Sequence, residues 1–366
     1  MTAEAPFRPR WASPPGDSIR DAMVARHMSM ADFASVIDVP VSRLESLLAG
    51  REAISIDLAR RLSEQIGGSV PFWLARDGQY QEDLIMVESD AWAGRLPFRD
   101  MVAYDWSRRP TSWTDRINVA LEFFGVANFQ EWQLKYGSSP QNARYRFAGS
   151  TKLNQEAVAA WLRRAEVETE KTTVSEWNPA SFEEALRGDI RRLTVERDPE
   201  VFIPKLVELA AALGIIVTVL RAPRGCQASG AARFLGNRAQ VVLSARYLTD
   251  DHFWFTFYHE CGHLLLHGAA ATYVDQFEEI PEDRADGEEA EANTFAADIL
   301  ISTDALRGLP SGSPTPLAIR RIAREAGVAP GIVVGQLQHL GRIGFGSGLN
   351  RFKRHFRWNG TRLERA

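Results

Sequence analysis

Apolar residues recur at helical spacing in the first part of the chain. Ile19 and Met23 lie four residues apart, and further pairs of this kind follow, which is typical of short amphipathic helices. Ser29 is placed to cap the second of these helices. About five short helices, with a tight turn near residues 38–40, predict a helix-turn-helix module over residues 17–85.

The pattern changes along the middle of the chain. Residues 86–192 hold most of the tryptophans and several amphipathic segments but no catalytic pattern, and we predict a helical linker domain there. Residues 214–220 form a β-branched run, and the pair Gly236-Asn237 separates two further apolar runs. These features predict strands, the last two of which form a hairpin.

Helical patterns return after the strands, over residues 251–267 and 287–301, and residues 314–366 indicate two more helices and a basic tail. The chain is therefore predicted to be mainly α with a small α+β domain. The predicted segments are a flexible tail (1–16), a helix-turn-helix domain (17–85), a tryptophan-rich helical linker domain (86–192), a domain with a short β-sheet (193–310) and a basic C-terminal helical segment (311–366).

Composition excludes several classes of protein. The 366 residues are 45% hydrophobic and 25% charged, which is typical of a globular chain rather than a disordered or low-complexity one. Two cysteines, Cys226 and Cys261, are too few for a disulfide scaffold and indicate a reducing compartment. Because no run resembles a signal peptide or a membrane span, we expect a cytoplasmic protein with no membrane partner.

The net charge of −4 conceals two segments of opposite sign. Nine acidic residues and one arginine lie between Asp275 and Glu291. From Leu317 onward the chain carries ten Lys or Arg residues and two Glu residues. Each segment is interpreted either as solvent-exposed surface or as a functional surface. The functional alternatives are that the acidic segment forms a lip beside a site and that the basic segment forms a face that binds nucleic acid or an acidic partner.

The clearest chemical signal is the H-E-x-x-H motif His259-Glu260-Cys261-Gly262-His263. Because four residues make nearly one helical turn, the two histidines share a face and can bind one metal ion. Glu260 lies beside them, where a carboxylate can take a proton from water. Zinc fits, since three protein ligands leave a fourth position open. The alternatives are two hydrogen-bonded core histidines, or a metal site without catalysis.

A third ligand is expected from the helical pattern of residues 287–301. Glu289 and Asn293 are four residues apart and share a face. We expect Glu289 to bind the metal and Asn293 to hydrogen-bond a ligand histidine. Glu288 and Glu291 are rival ligands on the same helix.

His267 is not expected to be a ligand. It lies about 12 Å from His259 along an unbroken helix, which is too far for two zinc–nitrogen bonds of about 2.0–2.1 Å each. We expect His267 to be structural or to support a ligand through a hydrogen bond. Cys261 points away from the two motif histidines by helical phase and is expected to be a packed thiol.

These residues resemble the ImmA/IrrE family of bacterial metallopeptidases. The similarity runs through residues 243–247, 250–263 and 289–296, with flanking likeness at 161–164 and 330–338. The resemblance implies a zincin-like peptidase fold. It also implies cleavage of a transcriptional repressor, which releases genes for mobile-element transfer or stress response.

When the functional residues of the family are assigned to the matching positions of this sequence, the resemblance implies that His259, His263 and Glu289 hold Zn²⁺ and that Glu260 activates water. No residue is assigned to oxyanion stabilisation, for which His252 and Tyr258 are weak candidates.

The N-terminal module resembles the Cro/repressor-type helix-turn-helix of HigA-like antitoxins through residues 49–55 and 72–74. This resemblance implies that the third helix contacts DNA, with Ser42, Arg43 and Ser46 as its contact residues. Residues 17–77 carry seven basic and nine acidic residues, although DNA-binding domains usually show a basic surface. The alternative is a module that recognises protein, either the substrate repressor or a sister subunit.

Tight DNA binding by such an acidic module needs further positive charge. We expect a homodimer, or the C-terminal residues Arg351, Lys353, Arg354 and Arg357, to supply it.

The resulting hypothesis is a DNA-binding transcriptional regulator fused to a zinc-dependent endopeptidase that cleaves a partner repressor or another regulatory protein. The alternative is a non-enzymatic, antitoxin-like repressor in which the zinc fold is structural or sensory. The two hypotheses differ in whether a protein partner is cleaved.

Overall fold

The computed structural model describes residues 10–137, 145–147, 154–170, 172–268, 272–275, 287–307 and 314–366. The chain divides into two compact units. The first comprises residues 1–94 and 110–118, and the second comprises residues 95–109 and 119–366. Residues 1–9 of the predicted flexible tail lie outside the described residues.

The first unit is a helical bundle, as the apolar spacing predicts. Its helices are α1 (Pro15–Ala25), α2 (Met30–Val36), α3 (Val41–Leu48), α4 (Ile56–Ile66) and α5 (Val70–Arg95). α1 begins at Pro15, inside the segment predicted as a tail. The side chains of Ile19, Phe33, Leu44 and Leu62 are fully buried in one common core.

Local capping defines the ends of these short helices. The Ser29 hydroxyl accepts a hydrogen bond from the Asp32 amide, and the Asp32 carboxylate accepts one from the Ser29 amide, which forms a capping box at the start of α2. Gly50 follows α3 with a φ of 69°, a backbone conformation that favours glycine. The predicted capping role of Ser29 is therefore confirmed.

The second unit contains the remaining helices and the described strands. One helix, α7 (Trp113–Phe124), begins in the first unit and ends in the second. The helices are α6 (Phe98–Ala103), α7 (Trp113–Phe124), α8 (Phe129–Tyr136), α9 (Gln155–Thr169), α10 (Pro179–Arg187), α11 (Asp189–Leu193), α12 (Pro199–Ala212), α13 (Asp250–Leu266), α14 (Gly287–Leu300), α15 (Thr303–Arg307), α16 (Pro316–Ala326) and α17 (Pro330–His339). In the described part of the chain, no helix is both long and apolar enough to cross a membrane.

Two sheets accompany these helices. Their strands are β1 (Tyr145–Phe147), β2 (Ile215–Val219), β3 (Gly230–Leu235), β4 (Arg238–Leu243), β5 (Thr272–Asp275), β6 (Phe356–Asn359) and β7 (Arg362–Arg365). The first five form one mixed sheet in the order β1-β5-β3-β4-β2, and the last two form a separate hairpin. The mainly α fold with small sheets agrees with the sequence prediction.

The centre of the larger sheet is the hairpin expected around Gly236-Asn237. β3 and β4 pair antiparallel, with Leu235 opposite Arg238, so the loop has two residues. Gly236 has a φ of 65°, which such tight turns require. β2 then pairs parallel with β4, and the predicted hairpin is confirmed.

One apolar core joins the sheet to the helices of the second unit. It includes Phe182 of α10, Val241 of β4, Phe257 of α13, Val333 of α17 and Phe356 of β6, all of them buried. The end of the predicted linker domain, with Phe182, Leu186 and Ile190, and the C-terminal segment therefore pack within the same core as the predicted β-containing domain. The predicted boundaries at residues 193 and 311 both fall within this core.

The C-terminal segment contains two helices, α16 and α17, as expected, but the part expected to be a basic tail has regular structure. A short 3₁₀ helix (Gly348–Phe352) is followed by the β6–β7 hairpin. In that hairpin, Phe356 and Leu363 are buried while Arg357 and Arg362 are exposed, which is the alternation of a half-buried sheet. The Phe356 amide also donates to the Leu248 carbonyl at 2.8 Å, joining β6 to the residues just before α13.

Two of the predicted DNA-binding charges are neutralised inside the fold. Lys353 Nζ lies 2.6 Å from the Asp251 carboxylate, and both side chains are at least 90% buried. The Arg354 guanidinium donates to the Thr194 and Glu196 carbonyls and lies 3.8 Å from Asp250. The expectation that Lys353 and Arg354 serve nucleic-acid binding is therefore wrong, because their charges hold the C-terminal segment against α13.

Asp250 is the most buried member of this charged cluster, with only 1% of its side chain exposed. Burial raises its pKa to about 6, although hydrogen bonding from the Arg354 amide and the charge of Arg354 oppose this effect. Gly331 makes room for the carboxylate, since a Cβ atom there would lie 2.6 Å from Asp250 Oδ1. The start of α13 is thus enclosed by α17 and the C-terminal segment.

Replacing Lys353 with Met should lower the free energy of unfolding by roughly 3–5 kcal/mol, because it leaves the buried Asp251 carboxylate without its cation. Arg351→Met is the matched control. Arg351 is exposed, and its loss should change stability by less than about 0.5 kcal/mol. Urea denaturation followed by circular dichroism measures both values. Equal stability of the two variants would contradict this role of the buried pair.

Candidate metal centre

The two motif histidines lie one turn apart on α13 and face the same side of it. The side chain of His259 is 1% exposed and that of His263 is fully buried. Their Nε2 atoms are 3.0 Å apart. Neighbouring turns of α13 are apolar and packed into the core, so both imidazoles are removed from water.

α14 brings Glu289 to these histidines because the two helices pack closely at Gly262. A Cβ atom at residue 262 would lie 3.1 Å from Cδ1 of Phe295 and 3.2 Å from Cα of Ala292. A larger residue at position 262 would therefore require Phe295 or Ala292 to shift by a few tenths of an ångström. In this packing, Glu289 Oε2 is 3.3 Å from His259 Nε2, and Glu289 Oε1 is 3.5 Å from His263 Nε2.

The three side chains fit a zinc ion in both chemistry and spacing. Two imidazole nitrogens and one carboxylate form a donor set that occurs at catalytic zinc sites. Tetrahedral zinc with bonds of about 2.0–2.1 Å separates its ligand atoms by about 3.3 Å. The three ligand atoms lie within 4.8 Å of one another, and both histidine–glutamate distances are close to that separation.

The surroundings also favour the protonation states that a metal requires. Burial is the largest effect on His263 and lowers its pKa, which favours the neutral imidazole. Burial alone would raise the pKa of Glu289, but hydrogen bonds and electrostatic attraction from both histidines outweigh it and hold the pKa below its ordinary value. A neutral imidazole and an ionised carboxylate are the forms that bind metal.

Asn293 contacts one of the two motif histidines. Its Oδ1 atom lies 3.0 Å from Nδ1 of His259. Because an amide oxygen only accepts, His259 must carry its proton on Nδ1 and leave the lone pair of Nε2 directed at Glu289 and His263. Asn293 and Glu289, four residues apart on α14, thus both contact His259.

Glu260 follows His259 directly in the chain and lies about 100° around α13 from it. Its side chain is fully buried against the first residue of β3, since a Cβ atom at Gly230 would come within 2.4 Å of Glu260 Oε1. Thr256, one turn earlier on α13, borders the same position, at 2.6 Å from that Cβ. Glycine at residue 230 thus creates the space that the Glu260 carboxylate occupies.

The remaining polar residues of the two helices take other contacts. His267 Nε2 lies 3.0 Å from the Glu288 carbonyl, and His267 Nδ1 lies 3.7 Å from the Glu291 carboxylate. The Glu291 side chain is 66% exposed. His267 therefore holds the first turn of α14, directly beside Glu289, rather than joining the three ligand atoms.

Other candidates from the motif helix lie away from the three ligand atoms. Cys261 is fully buried, and burial raises the pKa of its thiol well above the ordinary value. Tyr258 is also buried, and its hydroxyl donates to the Leu186 carbonyl at 3.0 Å, which directs it into the core. His252 stacks on Tyr247 with ring centroids 4.4 Å apart.

Residues 276–286, which make up most of the predicted acidic lip, lie outside the described residues.

In the first unit, the predicted DNA-contact residues lie on the outer face of α3. Ser42 and Arg43 are exposed, and Ser46 is half-buried. The Arg43 guanidinium forms a 2.6 Å ion pair with Glu52, just beyond the helix. Arg43 is therefore at the surface but engaged by a neighbouring carboxylate.

The contribution of β3 to this region was not predicted from the sequence. Gly230 and its neighbour Ser229 border Glu260 and the first half of α13. A run of small residues at 228–232 was the available signal, because small residues often mark a close approach of backbone to a site.

Two comparisons with known proteins bear on these observations. A short segment is 33% identical over 60 residues to an uncharacterized HTH-type transcriptional regulator, YddM, of Escherichia coli (strain K12). The match lies in the N-terminal part of this chain. It covers 16% of this chain and 64% of the relative, so the chain spans less than two thirds of the relative's length.

The second comparison concerns the region of the metal centre. Residues 214–337, about a third of the chain, match the Peptidase_M78 family, described as the IrrE N-terminal-like domain. This range contains β2 to β5 and the two helices that carry His259, His263, Glu260 and Glu289. The predicted resemblance is confirmed for this region, since residues 214–337 are similar to the IrrE N-terminal-like domain of the Peptidase_M78 family.

Proposed function

We propose that this protein is a transcriptional regulator in which a DNA-binding helix-turn-helix module is joined to a zinc-dependent endopeptidase that cleaves a partner repressor. The observation that carries the proposal is the convergence of His259, His263 and Glu289 at separations suited to zinc, with a buried Glu260 next to the first ligand. The similarity of residues 214–337 to a peptidase family supports the same function.

The roles of the residues follow from their positions. His259, His263 and Glu289 hold the metal, and Asn293 orients His259 through its Nδ1 proton. When bound, zinc polarises the scissile carbonyl and makes water a stronger nucleophile at neutral pH. Glu260 accepts the proton of the attacking water and passes it to the leaving amine nitrogen.

The proposed regulatory role rests on the first unit. The relative YddM is described as an HTH-type regulator, and α2 and α3 lie at the turn near residues 38–40 where the two helices of such a motif are expected. The exposed face of α3 carries Ser42, Arg43 and Ser46. We assign DNA contact to this face.

The purified full chain should contain about one zinc ion, and His263→Ala and Glu289→Gln should each lose it, because two protein ligands hold zinc weakly. Glu291→Gln is the matched control, since Glu291 is exposed and lies on the same helix. Metal analysis by mass spectrometry gives the ratio. Zinc loss in the Glu291 variant but not in the Glu289 variant would reassign the third ligand.

Glu260→Gln should retain zinc but cleave the partner at least about 10²-fold more slowly, because the amide keeps the shape and cannot accept the proton. The assay incubates full-length protein with the repressor encoded by the neighbouring gene and follows intact masses. Zinc loss would make Glu260 a ligand. If the unmodified protein contains zinc but does not cleave the partner, the result would favour the non-enzymatic repressor.

Asn293→Ala should weaken zinc binding by about 10–100-fold, because the ring of His259 loses the acceptor that fixes its orientation. Thr294→Ala is the control at the adjacent, exposed position of α14. Competition with a zinc chelator measures both affinities. If the two variants bind zinc equally well, Asn293 does not support His259.

Arg43→Ala should weaken binding to the DNA upstream of the protein's own gene by about tenfold. It should also lower the number of counterions released on binding, as measured from the salt dependence of the affinity, by about one. Glu52→Gln should strengthen binding, because it releases the Arg43 guanidinium from its ion pair. Arg60→Ala on α4 is the control for loss of an exposed arginine. Gel shifts at several salt concentrations measure these effects. Absence of a shift at low salt would favour the protein-docking alternative.

A further inference from the structure

One side of α13 is covered less than the rest of the helix, and it is the side of the metal centre. Thirteen of the seventeen residues of α13, all of them described, are buried, and the exceptions are His252, Phe255, Leu265 and Leu266. At about 100° of rotation per residue, His252 and Leu266 lie within about 20° of His259 around the helix axis, and Phe255 within about 40°. Three of the four less covered side chains therefore share the side of His259.

α17 runs alongside α13 in matching steps and ends beside Phe255. A Cβ atom at Gly335 would lie 2.5 Å from Asp251 Oδ2. One turn further along both helices, the ring centroids of Phe255 and His339 are 5.8 Å apart. Because His339 is the last residue of α17, the helix does not extend along the next turn of α13, which carries His259.

Phe255 and His339 together form an aromatic wall beside the metal centre. The Phe255 ring is inclined by only 26° to the imidazole of His259, and the two ring centroids are 6.4 Å apart. The His339 ring is tilted by 44° to that of Phe255. Phe255 is half-buried and packs against the apolar core, whereas His339 is exposed. The aromatic wall is therefore supported by the core and accessible at its outer end.

The chemistry of the aromatic wall favours apolar partners. Aromatic rings gain free energy by covering an apolar side chain, because contact removes apolar surface from water, and a second aromatic ring adds a specific ring–ring interaction. Two turns beyond His259, on the same side of α13, Leu266 is 49% exposed. Apolar side chains thus lie on both sides of the metal ligand along the helix.

We propose that Phe255 and His339 determine substrate specificity by binding a large apolar side chain, an aromatic one most tightly, next to the peptide bond that is cleaved. Phe255 lies one turn from the ligand His259, so a peptide bond held beside His259 brings a neighbouring side chain within reach of the aromatic wall. The identification of the ligand as a peptide rests on the proposed peptidase function. The preference for an apolar group rests on the two rings alone.

A first test needs neither zinc nor catalysis. The full-length protein, freed of zinc with a chelator, is titrated with N-acetyl-phenylalanine amide and with N-acetyl-alanine amide as the matched compound. The imidazole proton signal of His339 in the NMR spectrum is identified by its loss in His339→Ala. This signal should shift with the phenylalanine compound and not with the alanine compound, because only the larger side chain covers the ring.

A second test places the side chain at the metal. Phenylalanine hydroxamate and alanine hydroxamate chelate zinc through the same group and differ only in the side chain. The phenylalanine compound should bind the zinc-loaded protein about tenfold more tightly, because its phenyl ring is removed from water against the aromatic wall. Isothermal titration calorimetry measures both affinities.

Variants then locate the preference for the phenylalanine hydroxamate. Phe255→Ala should reduce it to less than about twofold and His339→Ala to about threefold, because each removes one ring of the aromatic wall. An unchanged affinity for alanine hydroxamate verifies that a variant is folded and holds zinc. His339 is exposed, so His339→Ala tests the aromatic wall even if Phe255→Ala fails to fold. Leu317→Ala, at a 77% exposed position of α16, is the control and should keep the full preference.

Equal binding of the two hydroxamates, or a preference that survives both Phe255→Ala and His339→Ala, would overturn the proposal. If neither hydroxamate binds, the His339 signal of the zinc-free protein decides. A shift with the phenylalanine compound alone supports the aromatic wall and means that the proposed zinc peptidase function fails. Absence of that shift overturns the aromatic wall itself.

Discussion

The contact between α13 and α14 at Gly262 is the constraint on which the candidate metal centre depends. Only a residue without a side chain lets Ala292 and Phe295 come so near to the motif helix. At that separation Glu289 reaches both histidines, and Asn293 reaches the opposite nitrogen of His259. Gly262, the second of the two unspecified positions in the motif, therefore allows α14 to place Glu289 and Asn293 beside the two histidines.

Each side of α13 packs against a different neighbouring element. The side that carries the histidines meets α14, the side that carries Glu260 meets the start of β3, and its first turn meets α17 and the C-terminal segment. Glycines make each of these approaches possible, at residues 262, 230 and 331. Such close packing fixes the helix from several directions, which is the rigidity that a preorganised site requires.

Local signals predicted those features of the fold that depend on neighbours in sequence. The spacing of His259 and His263, the cap at Ser29 and the turn at Gly236 are all set within a few residues, and the structure contains each of them. The β6–β7 hairpin was missed although Asn359-Gly360 is a turn signal, because the basic composition around it favoured a solvated tail. The role of Lys353 could not be predicted, since it depends on Asp251, which is distant in sequence.

The attachment of the C-terminal segment to the start of α13 also has a consequence for synthesis. The contacts between Asp250 and Arg354 close a loop of about a hundred residues, and such distant contacts form slowly. On the ribosome, α13 emerges long before the strand that completes its surroundings. The bundle of the first unit needs no such late partner, since its core residues all precede residue 74. The nascent chain can therefore fold the N-terminal bundle while the core of the second unit is still incomplete, so that the buried charged cluster at the start of α13 forms only late in translation.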